Sequence, residues 1–263
     1  MQLHPHPDGP QHQLKLDHTN PTQEPGGLRI GDLPQGLDEP AVMAILAFAR
    51  RSDLSAPGVQ GALARIAREF PLQILTFLLS CRREDGASLT DQCGDYPQAF
   101  TGQSEAVASW VFNQIGGETA GIGDVLQVAV GESMYSEVAD ALAVQVEHRN
   151  IDEIRSILEV FEPLDFWPLH APLLAEELIT RTREVAASDV EYVLTAIRTS
   201  CEVRLITWVN GRSEELEHLL DLATKLSNAE FLDEELLAIY SSAADDIRRE
   251  IADIASRYRN DYA

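Results

Sequence analysis

Glu215-Leu216-Glu217-His218 sets a carboxylate and an imidazole three residues apart, a spacing that on a helix turns Glu215 and His218 toward one face and one metal ion. A carboxylate-bridged di-iron centre needs a second such pair and two further helical carboxylates, and the sequence holds no second ExxH. The simpler reading is an exposed acidic helix start, where Glu214, Glu215 and Glu217 complement the positive end of the helix dipole. Asp245-Asp246-Ile247-Arg248-Arg249-Glu250 offers adjacent carboxylates of the kind that hold magnesium against a diphosphate. That chemistry needs a second acidic motif on a facing helix. Only thirteen residues follow Glu250, and the arginine pair offers partners one turn away, so a solvated, salt-bridged face is expected.

The glycine-rich stretch Gly116 to Gly123 precedes a helix start and invites a phosphate, yet it lacks the GK[ST] ending, and Glu118 and Asp124 repel an anion. It reads as an interhelical loop. Cys81 and Cys201 sit within apolar helical runs as buried side chains, and Cys93 lies between Asp91 and Asp95, which disfavour its thiolate. His148, His170 and His218 are the only histidines beyond the N-terminal stretch, and none is followed by the Asp of a His-Asp metal pair. His4, His6, His12 and His18 lie in a Pro-, Gly- and Gln-rich arm, where a metal would find no supporting shell. No catalytic residue, cofactor site or metal site is assigned.

These candidates need elements to hold them, and the pattern from Asp38 onward is helical. Apolar residues recur with helical period, Pro40, Pro57 and Pro71 mark helix starts, and Pro163, Pro168 and Pro172 punctuate the chain between a helix ending near Phe161 and one starting near Leu173. Asp124 is a candidate cap; Asn150 with Glu153, and Ser188 with Glu191, have capping-box spacing; Ser213 and Asn228 mark the last two starts. The expectation is an all-α domain over residues 38–263, with about ten antiparallel helices in a solenoid-like stack of hairpins or an irregular two-lobed array. Sub-boundaries are placed near 84–103 or 162–172, and residues 1–37 are expected to be a disordered arm. The longest apolar run, Phe70 to Cys81, is too short to span a bilayer, and the N-terminus carries no signal-peptide core. The odd cysteine count without CxxC spacing fits a reducing, cytoplasmic setting.

Charge is the remaining signal. The chain carries a net charge of −23, and between Arg83 and Arg149 it has eleven carboxylates and no lysine or arginine. A field of that sign disfavours nucleic acid and anionic lipid and favours a basic protein surface. Asp91, Asp95, Glu105 and Glu118 are therefore the candidate partner-binding residues. Lysine occurs only at Lys15 and Lys225, so a salt-rich cytosol, which favours acidic surfaces, is a competing explanation of the charge. Residues 38–83 are by contrast slightly basic, through the pairs Arg50/Arg51, Arg65/Arg68 and Arg82/Arg83. Those pairs form a basic groove or offset helix dipoles. The leading expectation is a non-enzymatic helical scaffold or adaptor that binds a protein through a groove or its acidic surface. The alternatives are an acidic inhibitor or immunity-type protein that masks a basic surface by charge mimicry, and an all-helical enzyme using carboxylate-bound metal.

Overall fold

Asp38 opens the first helix: its Oδ1 accepts from the Ala41 amide at 2.9 Å and satisfies one of the donors a helix start leaves open. Pro40 in the first turn costs nothing, because its missing N–H has no acceptor there anyway. The computed structural model describes residues 37–54, 56–85, 100–130, 132–203 and 212–262. The predicted arm thus lies outside the described residues except for Leu37, which is buried against the core.

The helices are α1 (Glu39–Ala49), α2 (Pro57–Glu69), α3 (Pro71–Asp85), α4 (Ser104–Ile115), α5 (Ile122–Val130) and α6 (Glu132–Val146). They continue as α7 (Ile151–Phe161), α8 (Trp167–His170), α9 (Pro172–Val185), α10 (Val190–Ser200), α11 (Glu214–Leu226) and α12 (Glu234–Tyr262). No strand occurs among the described residues, so the chain is all-α. The Asn150 box forms as expected: its side chain accepts from the Asp152 and Glu153 amides, and Glu153 accepts from the Asn150 amide at 3.0 Å. That backbone bond, together with Arg149, holds the Glu153 carboxyl below its ordinary pKa.

Three caps differ from expectation. Ser188 lies inside a 3-10 turn, Ala187–Asp189, which takes the place of the box before α10. Asn228 does not start a helix; its Nδ2 donates to the Thr224 carbonyl at 2.7 Å, closing the end of α11, and α12 begins six residues later. Asp124 lies within the first turn of α5, and its carboxylate binds Arg82 on α3.

The buried apolar residues form one contiguous cluster from Leu37 to Ile254. α1 packs on α2, α2 on α3, and α3 on both α4 and α5. Packing then departs from chain order: α6 lies against α4 and α9, and the single turn α8 meets α11. Phe166, at φ 55°, turns the chain into α8 while its amide donates to the Ser200 carbonyl at 3.0 Å. Trp167 is then buried against Phe161, ring centroids 5.3 Å apart, and the Tyr240 hydroxyl donates to the Pro168 carbonyl at 3.0 Å, tying α12 to α8.

Candidate functional site

The residues with the most suggestive chemistry are held in structural roles. The fold brings His170 on α8 to His218 on α11, with ring centroids 6.4 Å apart. Among the described residues, however, no group of three or more His, Cys, Asp or Glu is placed to hold a metal. Glu217 is engaged by Arg212, whose Nη2 lies 2.8 Å from each carboxylate oxygen. Arg248 binds Asp245 at 2.6 Å and Arg249 binds Asp246, so the acidic run of α12 is ion-paired along its own helix. Cys81 and Cys201 are buried and not disulfide-bonded, and burial pushes the Cys201 thiol up to about 12, which disfavours its thiolate.

The glycine stretch is spent on packing. Gly121 has φ +82°, which a side chain disfavours, and a Cβ at Gly123 would collide with the Val160 carbonyl and Pro163. Those contacts let α5 approach α7 closely. Around the loop, the Thr119 hydroxyl donates to Glu159 at 2.8 Å and Arg82 holds Asp124, so the environment suits no phosphate.

The four candidate partner-binding acids are not brought into one described patch. Asp91 and Asp95 lie outside the described residues. Glu105 is exposed in the first turn of α4 and Glu118 is exposed beyond its last turn, so a helix about 18 Å long separates them. The segment is also partly compensated from outside: Arg82 reaches Asp124, and the Arg149 guanidinium lies over the Phe112 ring at 4.2 Å. Asp140 is the acid whose carboxyl partial burial holds above its ordinary range. The described acids of this segment are distributed over α3, α4, α5 and α6 and the turns beyond α4 and α6.

A different surface stands out. Between α1 and α3 lies an open groove of about 780 Å³, lined by Met43, Leu46, Ala47, Arg50 and Arg51 on one wall and Leu72, Gln73, Thr76, Phe77 and Ser80 on the other. Leu46 and Phe77 form its floor. Met43 is 58% exposed and Leu72 40%, so two apolar side chains stand open beside a buried floor. Among the described residues the lining contains two arginines and no carboxylate, in a chain of net charge −23. Its hydroxyls are internally satisfied: Thr76 donates to the Leu72 carbonyl at 2.8 Å and accepts from Trp110 Nε1 at 3.1 Å, and Ser80 donates to the Phe77 carbonyl at 2.7 Å. Another cavity, about 240 Å³ between α7 and α10, differs in that two of its lining side chains are already engaged: Glu159 accepts from Thr119, and Arg155 lies over Tyr192.

The groove had a signal in the sequence. Ala41 to Ala49 contains no polar residue, and a helix apolar all round has more than one face to cover. Val42, Ile45 and Ala49 are buried, which leaves Met43 and Ala47 on a second, open face. No protein-family model, curated protein or solved structure matches this chain. The functional reading therefore rests on its own residues.

Proposed function

We propose that the chain is a non-catalytic helical adaptor that holds a partner protein in the groove between α1 and α3. The observation that carries this reading is the groove itself, an open, apolar, internally hydrogen-bonded surface flanked by exposed Met43 and Leu72. Met is suited to such a role because its unbranched, polarisable side chain reshapes around an incoming surface. A cytoplasmic setting belongs to the same reading and is supported by Cys81 and Cys201, both buried and not disulfide-bonded. Among the described residues no helix is long and apolar enough to cross a membrane.

Capture from native lysate on the immobilised full chain, beside a Met43→Glu/Leu72→Glu variant and a Glu105→Lys/Glu118→Lys variant, tests it. The expected result is a protein retained by the wild type and by the lysine variant and lost from the groove variant. Retention by the groove variant with loss from the lysine variant would replace the reading with charge mimicry at the acidic segment.

A further inference from the structure

Two helices end at the cavity between α7 and α10. α7 closes at Phe161 and α10 at Ser200, and the cavity is lined from the last turns of both, by Leu158, Glu159 and Glu162 on one side and by Ala196, Thr199 and Ser200 on the other. The negative ends of two helix dipoles therefore meet at one cavity. Glu159 and Glu162 stand three residues apart, on one face of α7, and a carboxylate at a helix C-terminus is disfavoured by the dipole it adjoins. A cation seated between α7 and α10 relieves both carboxylates and both helix ends.

The remaining walls decide what kind of cation fits. Leu158 and Trp167 are buried beneath the cavity, an apolar floor that a bare inorganic ion would leave uncovered. Phe166, at φ 55°, holds that floor in place: its amide donates to the Ser200 carbonyl and joins the start of α8 to the end of α10. Tyr192 lines the opening at 47% exposure, and an aromatic ring attracts cations. Arg155 already lies 5.7 Å from the ring centroid, but it is tied to Asp189 at 2.9 Å and is not part of the lining. Acceptors are available on both helices. Glu159 gives Oε2 to the Thr119 hydroxyl, and the Glu162 carboxylate and the Thr199 hydroxyl have no partner among the described residues. At about 30 Å³ per water, the 240 Å³ holds roughly eight waters, enough for a short alkyl chain with an ammonium head and a little solvent.

We propose that this cavity binds the protonated head of a primary alkylamine. Glu159, Glu162 and Thr199 accept its three N–H donors, Tyr192 flanks the charge, and the alkyl chain lies on Leu158, Trp167 and Ala196. The site is separate from the α1/α3 groove and does not depend on the adaptor reading.

Amide chemical shifts of the full chain, followed while butylamine is added at neutral pH and constant ionic strength, test it. The expected result is saturable shifts centred on the ends of α7 and α10. Butanol, which lacks the charge, and tetramethylammonium, which lacks the donors, should each bind about fivefold or more weakly. Glu162→Gln should weaken butylamine about fivefold, whereas Glu191→Gln, which removes the same charge from the first turn of α10, should leave binding unchanged. Both side chains are exposed, so both variants should keep the wild-type spectrum elsewhere. Nα-acetyl-lysine amide separates the two sources of such a head: tighter binding than butylamine assigns it to a protein lysine, weaker binding to a free amine, and either order supports the site. Shifts that grow linearly with butylamine, equal binding of tetramethylammonium, or equal effects of the two glutamate variants overturn the proposal. So does the same pattern of shifts from potassium chloride, which would mark a site for an inorganic cation only.

Discussion

The α1/α3 groove and the outer face of α12 use the same residue type in opposite ways. On α12 three of the four arginines bind an acid on their own helix, Arg248 to Asp245, Arg249 to Asp246 and Arg257 to Asp253, while Arg259 near the helix end donates to the Ala255 carbonyl. Just past the end of α1, Arg51 Nε donates to the Ala47 carbonyl, and the residue stands beside exposed apolar side chains. Charge neutralised one turn away keeps a helix in water, and its value is a few tenths of a kcal/mol per pair. Cationic charge beside uncovered apolar surface is a different object, because both parts gain by being covered together. What separates a solvated face from a site is thus the company an arginine keeps.

The contrast extends from charge to space, and a matched pair of substitutions gives the largest effect. Gly123→Ala adds one methyl where the Val160 carbonyl and Pro163 leave no room, so α5 must shift from α7 at a cost of about 1–3 kcal/mol. Ala47→Leu adds more volume, but into the groove, and should move stability by no more than about 0.5 kcal/mol. Urea melts of both variants measure the difference. Similar losses at the two positions would mean that the groove wall is as tightly constrained as the helix contact.

Next in size is the cross-link between α9 and α12. Arg183 donates to both Asp233 oxygens, at 2.6 and 3.1 Å, and also binds Glu235. These bonds from Arg183 hold the Asp233 carboxyl below its ordinary range. A carboxyl depressed on folding stabilises above its unfolded pKa, near about 3.9, and that stabilisation is lost as pH falls through the folded value. Asp233→Asn should therefore cost about 1 kcal/mol at neutral pH, since the arginine is partly exposed and solvent screens the pair. The gap between wild type and variant should close as pH drops below about 4. A gap independent of pH would show that packing, rather than the ion pair, joins α9 to α12.

Helix class and most helix starts were legible in the sequence, because Asp38, Asn150 and Ser213 cap through bonds to amides within three residues. Ser188 and Asn228 have the same residue types yet serve a 3-10 turn and a helix end. Capping chemistry does not by itself state direction. The site was less legible for a related reason. Arg50 and Arg51 suit a dipole-offsetting role in sequence, and only the placement of α3 beside α1 turns them into the rim of a groove. The eleven acids between residues 84 and 147 look like one field in the sequence, and what the sequence does not show is that Arg82 enters from α3 to take one of them, Asp124.

The smallest effects belong to the paired face, and they test whether its charges are solvation alone. Asp246→Asn and Asp253→Asn each remove one partner of an exposed pair one turn apart, so each should shift the thermal midpoint by the equivalent of about 0.5 kcal/mol or less. Neither should alter binding at the groove, which lies on α1 and α3. Salt supplies the sharper reading. The excess of 23 negative charges repels itself in the folded state, and the Debye length falls from about 30 Å at 0.01 M to about 8 Å at 0.15 M. Stability should rise over that range and then level off, because at about 8 Å screening is already finer than the spacing between neighbouring helices. Removing a single pair on α12 should leave that rise unchanged, whereas stabilisation continuing into molar salt would point to an acidic surface selected for hydration. If Asp246→Asn instead flattened the salt response, the α12 pairs would be organising the field of the whole molecule, and the distinction between a solvated face and a binding groove would have to be redrawn.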